Sequence, residues 1–249
     1  MAPSAVMVEE APVKTPPVIK TPVGPSPVVS AAVEPPPLNA APTPSKVNVA
    51  DHPLAQHALM ALRNKFTVSD QFRQISHQLL AMLTIEATRK TPTRDDLVQT
   101  HSTTHTGLVL AKPLVFLSVN REGLGLAHRM AELFPELLVG AISLDRNGTP
   151  GVEPRLHMTN APALGDARVI LFDPVVATGL TATRAVQFIR RAGATDVTLL
   201  SYIVSFQGLS RLQAAAPDLT VWAAGIDSEW DSKKGPLPGL GDFAERLYG

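Results

Sequence analysis

Apolar positions along the chain change their spacing near residue 112. Between Ser69 and Lys90 they fall at 72, 75, 79, 80, 83 and 87, which is the spacing of one helical face. Ser69 is expected to cap this helix, and a shorter helix is expected before it over residues 51–65. After residue 112, short and continuously apolar runs alternate with helical stretches.

The apolar runs predict strands. They cover residues 113–119, 137–144, 167–172, 197–205 and 219–226, with helices expected up to Phe134, over 180–192 and near 208–215. This alternation predicts an α/β fold with a mostly parallel twisted sheet and helices on both faces. Ligands of such sheets bind at the carboxyl ends of strands. The loops of interest are therefore 120–125, 145–166, 173–181 and 227–242.

The first 45 residues differ in composition from the rest. They hold 12 of the 23 prolines and no aromatic residue. Such a segment buries too little apolar surface to offset the entropy of ordering it. We predict a disordered tail over 1–48 and one globular domain over 49–249. Two interpretations of the tail stay open: a solvated spacer, or an arm that docks a protein partner.

Charge and composition argue against several classes of function. A net charge of zero and a pI near 7.1 suggest neither nucleic acid nor an anionic membrane as partner. The chain contains no run of 18 apolar residues, so no membrane span is expected. The chain has no cysteine, which fits a reducing compartment, and we expect a cytoplasmic location. The histidines and acids show no metal-ligand spacing, so no protein metal site is expected.

One stretch carries the clearest chemistry: VILFDPVVATGLTA, residues 169–182. An apolar strand ends on Asp173, and a turn of small residues leads into a helix. Asp173 can accept hydrogen bonds from ribose hydroxyls. Phosphate donors at the helix N-terminus are the backbone N–H groups of Ala177, Thr178, Gly179 and Leu180 and the hydroxyls of Thr178 and Thr181. The alternative is an ordinary strand, turn and capped helix without a ligand.

This stretch resembles the phosphoribosyl diphosphate (PRPP) binding motif of type I phosphoribosyltransferases. Asp173–Pro174 resembles the uracil phosphoribosyltransferase branch of that class. Further segments resemble the same family: HPLAQHALMALRNK at 52–65, LLAMLTIEAT at 79–88, NREGLGL at 120–126, LDRNGT at 144–149, and IDSEWDSKKGPLPGLGDFAERLYG at 226–249. The resemblance covers about residues 51–249 and leaves the Pro-rich tail outside.

The resemblance implies transfer of phosphoribose from PRPP to N1 of uracil, giving uridine monophosphate and pyrophosphate, with Mg²⁺ accompanying PRPP. It also implies a homo-oligomer. The residues that it implies for PRPP are Arg121, Arg146, Asp173, Pro174, Val175, Val176, Ala177, Thr178, Gly179, Leu180, Thr181 and Asp242. Those implied for uracil are Pro236, Gly241, Asp242 and Phe243, mainly through their backbone. Catalytic roles fall to Asp173, Arg121 and Asp242.

Each of these assignments has an alternative from the residues alone. Arg121 and Arg146 could be solvated surface side chains, and PGLGD could be a turn followed by a helix cap at Asp242.

The sequence departs from the family pattern near both substrates. Glu122 stands beside the diphosphate arginine, residues 147–158 lack the family's acidic closing loop, and Trp230 lies near the base segment, where 234–237 lack a Tyr. These departures keep a second hypothesis open: a catalytically impaired homologue that retains the PRPP cradle and acts as a binding, regulatory or assembly protein recruited by its tail. Transfer to a different base is a third. PRPP binding without turnover would separate the first two.

Overall fold

Helices and strands alternate through most of the chain in the computed structural model, which describes residues 46–120, 123–145, 154–158 and 161–249. Its helices are α1 (Pro53–Arg63), α2 (Ser69–Thr88), α3 (Leu124–Leu133), α4 (Leu180–Arg191), α5 (Phe206–Ala215) and α6 (Phe243–Tyr248). Its strands are β1 (Val47–Val49), β2 (Thr93–Gln99), β3 (Thr104–Leu110), β4 (Leu114–Val119), β5 (Leu137–Ser143), β6 (Arg155–His157), β7 (Arg168–Phe172), β8 (Val175–Val176), β9 (Asp196–Ser205), β10 (Thr220–Asp227), β11 (Glu229–Asp231) and β12 (Gly235–Leu237).

The main sheet has eight strands in the order β1-β10-β9-β7-β4-β5-β6, with β8 also paired to β9. All neighbours are parallel except β6, which runs antiparallel to β5. The predicted α/β fold with a mostly parallel sheet is therefore confirmed. The predicted tail boundary at residue 49 falls inside β1, which pairs with β10 from Val47 onward.

Both faces of this sheet are buried, and neighbouring residues of one strand serve opposite faces. Leu114 and Phe116 of β4 pack into the cluster that includes α1, α2 and α3, whereas Val115 and Leu117 pack into the cluster that includes α4. The residues of β7 and of β9 alternate between the same two clusters. Burial on both faces explains why these strands are continuously apolar in sequence and confirms helices on both faces.

The first two helices begin differently from the sequence prediction. Ser69 is the first residue of α2 and not its cap, because the extended residue before it is Val68, which offers no side-chain hydrogen bond. Burial of Phe72 and the leucines that follow it stabilises this helix in place of a cap. Helix α1, in contrast, has a side-chain cap: His52 Nδ1 accepts from the Leu54 N–H at 3.2 Å. No helix among the described residues is long and apolar enough to cross a membrane.

Several parts of the fold were missed by the sequence pattern, among them β1 and the β11–β12 hairpin, whose strands have three residues each. The antiparallel hairpin of β2 and β3 carries mixed polar and apolar residues, because both of its strands are largely exposed. Part of the expected 145–166 loop forms the short edge strand β6, in which Arg155 and His157 are exposed. Strand β8 has two residues, too few to produce a periodic signal.

Tyr202 joins the sheet to the helices above it. It is fully buried, and its hydroxyl donates to the Ser76 carbonyl oxygen of α2 at 2.6 Å. Its ring packs between Phe172 and Phe243, with centroid distances of 5.3 and 5.7 Å. Burial raises the pKa of the Tyr202 hydroxyl well above its usual range.

We expect Tyr202→Phe to keep the ring contacts and to lower the free energy of unfolding by about 1 kcal/mol at pH 7, through the lost hydrogen bond. The folded protein keeps a proton that the unfolded tyrosine releases above about pH 10, so this residue's stabilisation is complete below that pH and declines above it. The difference in unfolding free energy between wild type and variant should therefore nearly vanish at about pH 10.5. Urea unfolding at both pH values measures it, and an unchanged gap would contradict the argument.

Candidate active site

An open cavity of about 440 Å³ lies at the carboxyl edge of the main sheet. Three separate segments of the described chain form its walls: the end of β4, the segment from β7 into α4, and the start of α6. The lining residues are Val119, Asn120, Asp173, Pro174, Val175, Val176, Ala177, Thr178, Gly179, Leu180, Thr181, Ala182, Gly241, Asp242, Phe243 and Ala244. The volume suits a small-molecule ligand.

Asp173 is placed by the strand beside it. Its N–H donates to the Leu200 carbonyl oxygen of β9 at 3.0 Å, and the next carbonyl, of Pro174, accepts from the Tyr202 N–H at 3.1 Å. The chain then forms β8, in which Val175 pairs with Ile203. What the sequence predicted as a free loop is therefore fixed to β9, and the half-buried Asp173 lines the cavity on a rigid support.

The turn into α4 depends on two glycines that touch each other. Gly179 precedes the helix with φ of 74°, and a Cβ there would lie 2.6 Å from the Gly208 carbonyl oxygen. A Cβ on Gly208 would in turn lie 2.6 Å from the Ala177 carbonyl oxygen. The Ser205 hydroxyl joins the two segments, donating to Ala177 O at 2.5 Å and accepting from Gly208 N at 2.9 Å. The turn thus packs directly on α5.

The donors of this turn differ in part from those expected. The Ala177 N–H, which the sequence predicted as a phosphate donor, donates to the Val175 carbonyl oxygen at 3.1 Å, so a phosphate would share or replace that bond. The Leu180 N–H lies 3.5 Å from Thr178 Oγ1, a long contact. Thr181 occupies the first turn of α4, where backbone N–H groups have no partner within the helix. The positive end of a 12-residue helix therefore points into the cavity with donors available.

Asn120 is a cavity residue that the sequence analysis did not single out. Its φ of 62° is unusual for a residue other than glycine. Its Oδ1 accepts from the Leu144 N–H at 3.1 Å and so joins the loop after β4 to the loop after β5. These loops lead to Arg121 and Arg146, which, like Glu122, lie outside the described residues. The sequence signal that could have identified Asn120 is its position as a polar residue directly after an apolar strand.

The C-terminal segment contributes Gly241, Asp242 and Phe243 to the cavity. Asp242 caps α6, its Oδ1 accepting from the Glu245 N–H at 3.0 Å, which is the local role that the sequence offered as an alternative. Capping uses one carboxylate oxygen and leaves Oδ2 as a further acceptor. Pro236 and Trp230 lie opposite each other in the β11–β12 hairpin, and neither is among the described residues that line the cavity.

A pair of glycine substitutions separates backbone strain from close packing. Gly179 and Gly235 both have positive φ, of 74° and 79°, but a Cβ on Gly235 would have no heavy atom within 4 Å. We expect Gly235→Ala to cost about 1–2 kcal/mol of unfolding free energy from strain alone. Gly179→Ala should cost about 1–3 kcal/mol more, from the contact with Gly208. Urea unfolding tests this, and equal losses would contradict the role of the contact.

Comparison with known proteins places residues 49–249 in one family. The family model for uracil phosphoribosyltransferase matches residues 49–249. The uracil phosphoribosyltransferase of Caulobacter sp. strain K31 is 34% identical over 204 residues, which are 82% of this chain and 98% of that protein. That of Pseudarthrobacter chlorophenolicus is 36% identical over 209 residues, 81% of this chain and 97% of that protein.

A solved structure is similar in fold to this chain. The structure of the AQ2163 protein from Aquifex aeolicus aligns with a TM-score of 0.72 and 26% identity, over 81% of this chain and 97% of that one. The family model and the relatives cover the same region of this chain and lead to one assignment. This chain belongs to the uracil phosphoribosyltransferase family.

Proposed function

We propose that this chain transfers phosphoribose from PRPP to N1 of uracil. The bond from C1′ to the diphosphate oxygen breaks, a bond from C1′ to N1 forms, and the N1 proton is released. The products are uridine monophosphate and pyrophosphate. The observation that carries the proposal is the cavity itself, in which a helix N-terminus and two carboxylates face one space together with the C-terminal segment.

The segment from Asp173 to Thr181 supplies the ribose phosphate site in this proposal. The 5′-phosphate binds at the start of α4, where Thr178, Gly179 and Thr181 offer N–H and O–H donors. Asp173 accepts from the ribose hydroxyls and stabilises the positive charge that grows on the ribose as the diphosphate leaves. Its rigid attachment to β9 keeps that carboxylate in place without reorganisation.

Arg121 and Arg146 bind the diphosphate in the proposed mechanism. Arg121 directly follows Asn120, whose side chain accepts from the Leu144 N–H, two residues before Arg146. A guanidinium binds phosphate oxygens in a fork. Mg²⁺ fits this site as a companion of PRPP. The described residues contain no cluster of three or more metal-binding side chains, but Mg²⁺ usually takes one or two carboxylates with phosphates and waters. Asp173 and Asp242 are the carboxylates that line the cavity.

Backbone groups recognise the base in this proposal. Pro236 has no N–H, so its backbone offers only a carbonyl oxygen, which suits the N3–H of uracil. Phe243 is the first residue of α6, and its N–H has no acceptor within the helix, which suits a uracil carbonyl. Gly241 adds backbone with φ of 72° between them. Because backbone groups do the reading, side chains in this segment are free to differ among relatives.

The test is a chromatographic assay for uridine monophosphate with PRPP, Mg²⁺ and uracil. We expect product from the wild-type chain and a loss of about 10²-fold or more in kcat/KM for Asp173→Asn, which removes the charge that stabilises the ribose cation. Asp166→Asn is the control, because Asp166 is exposed near the amino end of the same strand, β7. A folded wild-type chain without product would refute the proposal.

We also propose that the chain forms a homo-oligomer through the β2–β3 hairpin and acts in the cytoplasm. Leu97 and Leu108 are diagonal neighbours on one face of this hairpin and are 70% and 72% exposed. Both strands pair only with each other in the described structure, so their outer edges are available to a second copy. A protein partner for the Pro-rich tail stays a prediction, as does the boundary of that tail.

We expect Leu97→Asp with Leu108→Asp to shift the protein to a lower oligomeric state, because two buried carboxylates would oppose the contact. Light scattering after size-exclusion chromatography measures the mass. Phe66→Asp is the matched control, since Phe66 is 78% exposed in the loop between α1 and α2, away from the hairpin. An unchanged mass in the double variant would exclude this hairpin as the interface.

A further inference from the structure

A buried ion pair connects the end of α1 to the end of β10. Arg63 is the last residue of α1 and Asp227 the last of β10. Arg63 Nη2 donates to Asp227 Oδ1 at 2.6 Å, and Nη1 donates to Oδ2 at 3.2 Å. The Asp227 residue is 1% exposed and the Arg63 side chain 14% exposed, so water screens this pair little.

The same two side chains also hold both backbone polar groups of Gly239. Asp227 Oδ2 accepts from the Gly239 N–H at 2.9 Å, and Arg63 Nη1 donates to the Gly239 carbonyl oxygen at 3.0 Å. Gly239 has φ of 68°, and a Cβ there would lie 2.5 Å from the Pro236 carbonyl oxygen. The ion pair therefore fixes one peptide within a tight turn that also contains Pro236.

A second arginine braces the next residue. Arg246 Nη1 donates to the Leu240 carbonyl oxygen at 2.7 Å and also to the carbonyl oxygen of Leu62, while Nη2 donates to the Asn64 carbonyl oxygen at 2.6 Å. Its guanidinium lies over the Phe72 ring at 4.3 Å. Gly239 is thus tied to the C-terminal end of α1 by Arg63 and its partner Asp227, and Leu240 is tied to the same end through the Arg246 side chain.

We propose that Arg63 and Asp227 are positioning residues for recognition of the base. The inference rests on the proposed function, in which the backbone of Pro236, Gly241 and Phe243 reads uracil. These three residues flank Gly239, and backbone donors select a base only if the backbone is held in register. Neither Arg63 nor Asp227 lines the cavity among the described residues, so both act through Gly239.

Arg63→Lys and Asp227→Asn test the proposal by steady-state kinetics. A lysine keeps the charge but cannot make the fork to Asp227 and also reach Gly239 O. An asparagine keeps one oxygen and loses the charge. We expect each variant to raise the KM for uracil at least tenfold while changing the KM for PRPP less than twofold. The PRPP residues from Asp173 to Thr181 are held by β9 and α5, and the Asp242 side chain is held separately as the cap of α6.

Arg168→Lys is the matched control. Arg168 also has a side chain that is 14% exposed, a two-contact pairing with an aspartate (Asp196, at 3.1 and 3.3 Å) and a hydrogen bond to a backbone carbonyl oxygen (Ala87, at 3.2 Å). It begins β7, at the edge of the sheet away from the cavity. This variant should lose melting temperature to a similar degree as Arg63→Lys and keep both KM values.

Hydrogen exchange gives a readout that does not require activity. Amides from Gly239 to Phe243 should exchange faster in Arg63→Lys and Asp227→Asn, and at the wild-type rate in Arg168→Lys. An unchanged uracil KM, an equal rise in both KM values, or unchanged exchange would overturn the inference. A wild-type chain that makes no uridine monophosphate would instead refute the proposed function, and the exchange rates would still decide whether the ion pair holds this segment.

Discussion

Burial of the parallel sheet on both faces is the constraint on which the rest of this structure depends. The residues of β4, β7 and β9 alternate between two hydrophobic clusters, so the interior of these strands has no charged side chain and only small buried hydroxyls such as those of Ser118, Thr198 and Ser201, besides the Tyr202 hydroxyl. Chemistry is therefore confined to the strand ends. Parallel strands bring those ends to one edge, and Asn120 and Asp173 meet there although 53 positions separate them in sequence.

The position of the edge loops is set by backbone contacts more than by side chains. Strand β8 attaches the segment after Asp173 to β9, and the contact between Gly179 and Gly208 seats the start of α4 on α5. Ser205, at the end of β9, bonds to both segments. Backbone N–H groups at a helix N-terminus can hold a phosphate only if they cannot move away, and this packing removes that freedom. The small residues of the turn thus serve packing against α5, in addition to the phosphate site proposed for them.

The sequence predicted the elements whose signal is local. Continuous apolar runs located β4, β5, β7, β9 and β10, and Asp173 followed by small residues indicated the turn that lines the cavity. The missed features depend on contacts between distant residues. Arg63 is a basic residue in the last turn of a helix, an ordinary position, and its pairing with Asp227 spans 164 positions. The β2–β3 hairpin was missed for a local reason. Its strands are largely exposed, so no buried face imposes an alternation of apolar and polar residues.

These contacts bear on the departures that raised the hypothesis of an impaired homologue. Trp230 lies exposed on β11, and, like the Pro236 that pairs with it, it is outside the described residues that line the cavity. The turn of its hairpin is closed by Asp231, whose pKa is lowered by hydrogen bonds from the backbone N–H groups of Lys233 and Lys234. If backbone groups read the base, then side chains in this hairpin can change freely so long as Gly239 stays anchored. The proposed anchor lies in Arg63 and Asp227, which are outside the divergent stretches 228–231 and 234–237, so a change of side chains in those stretches leaves its contacts with Gly239 in place.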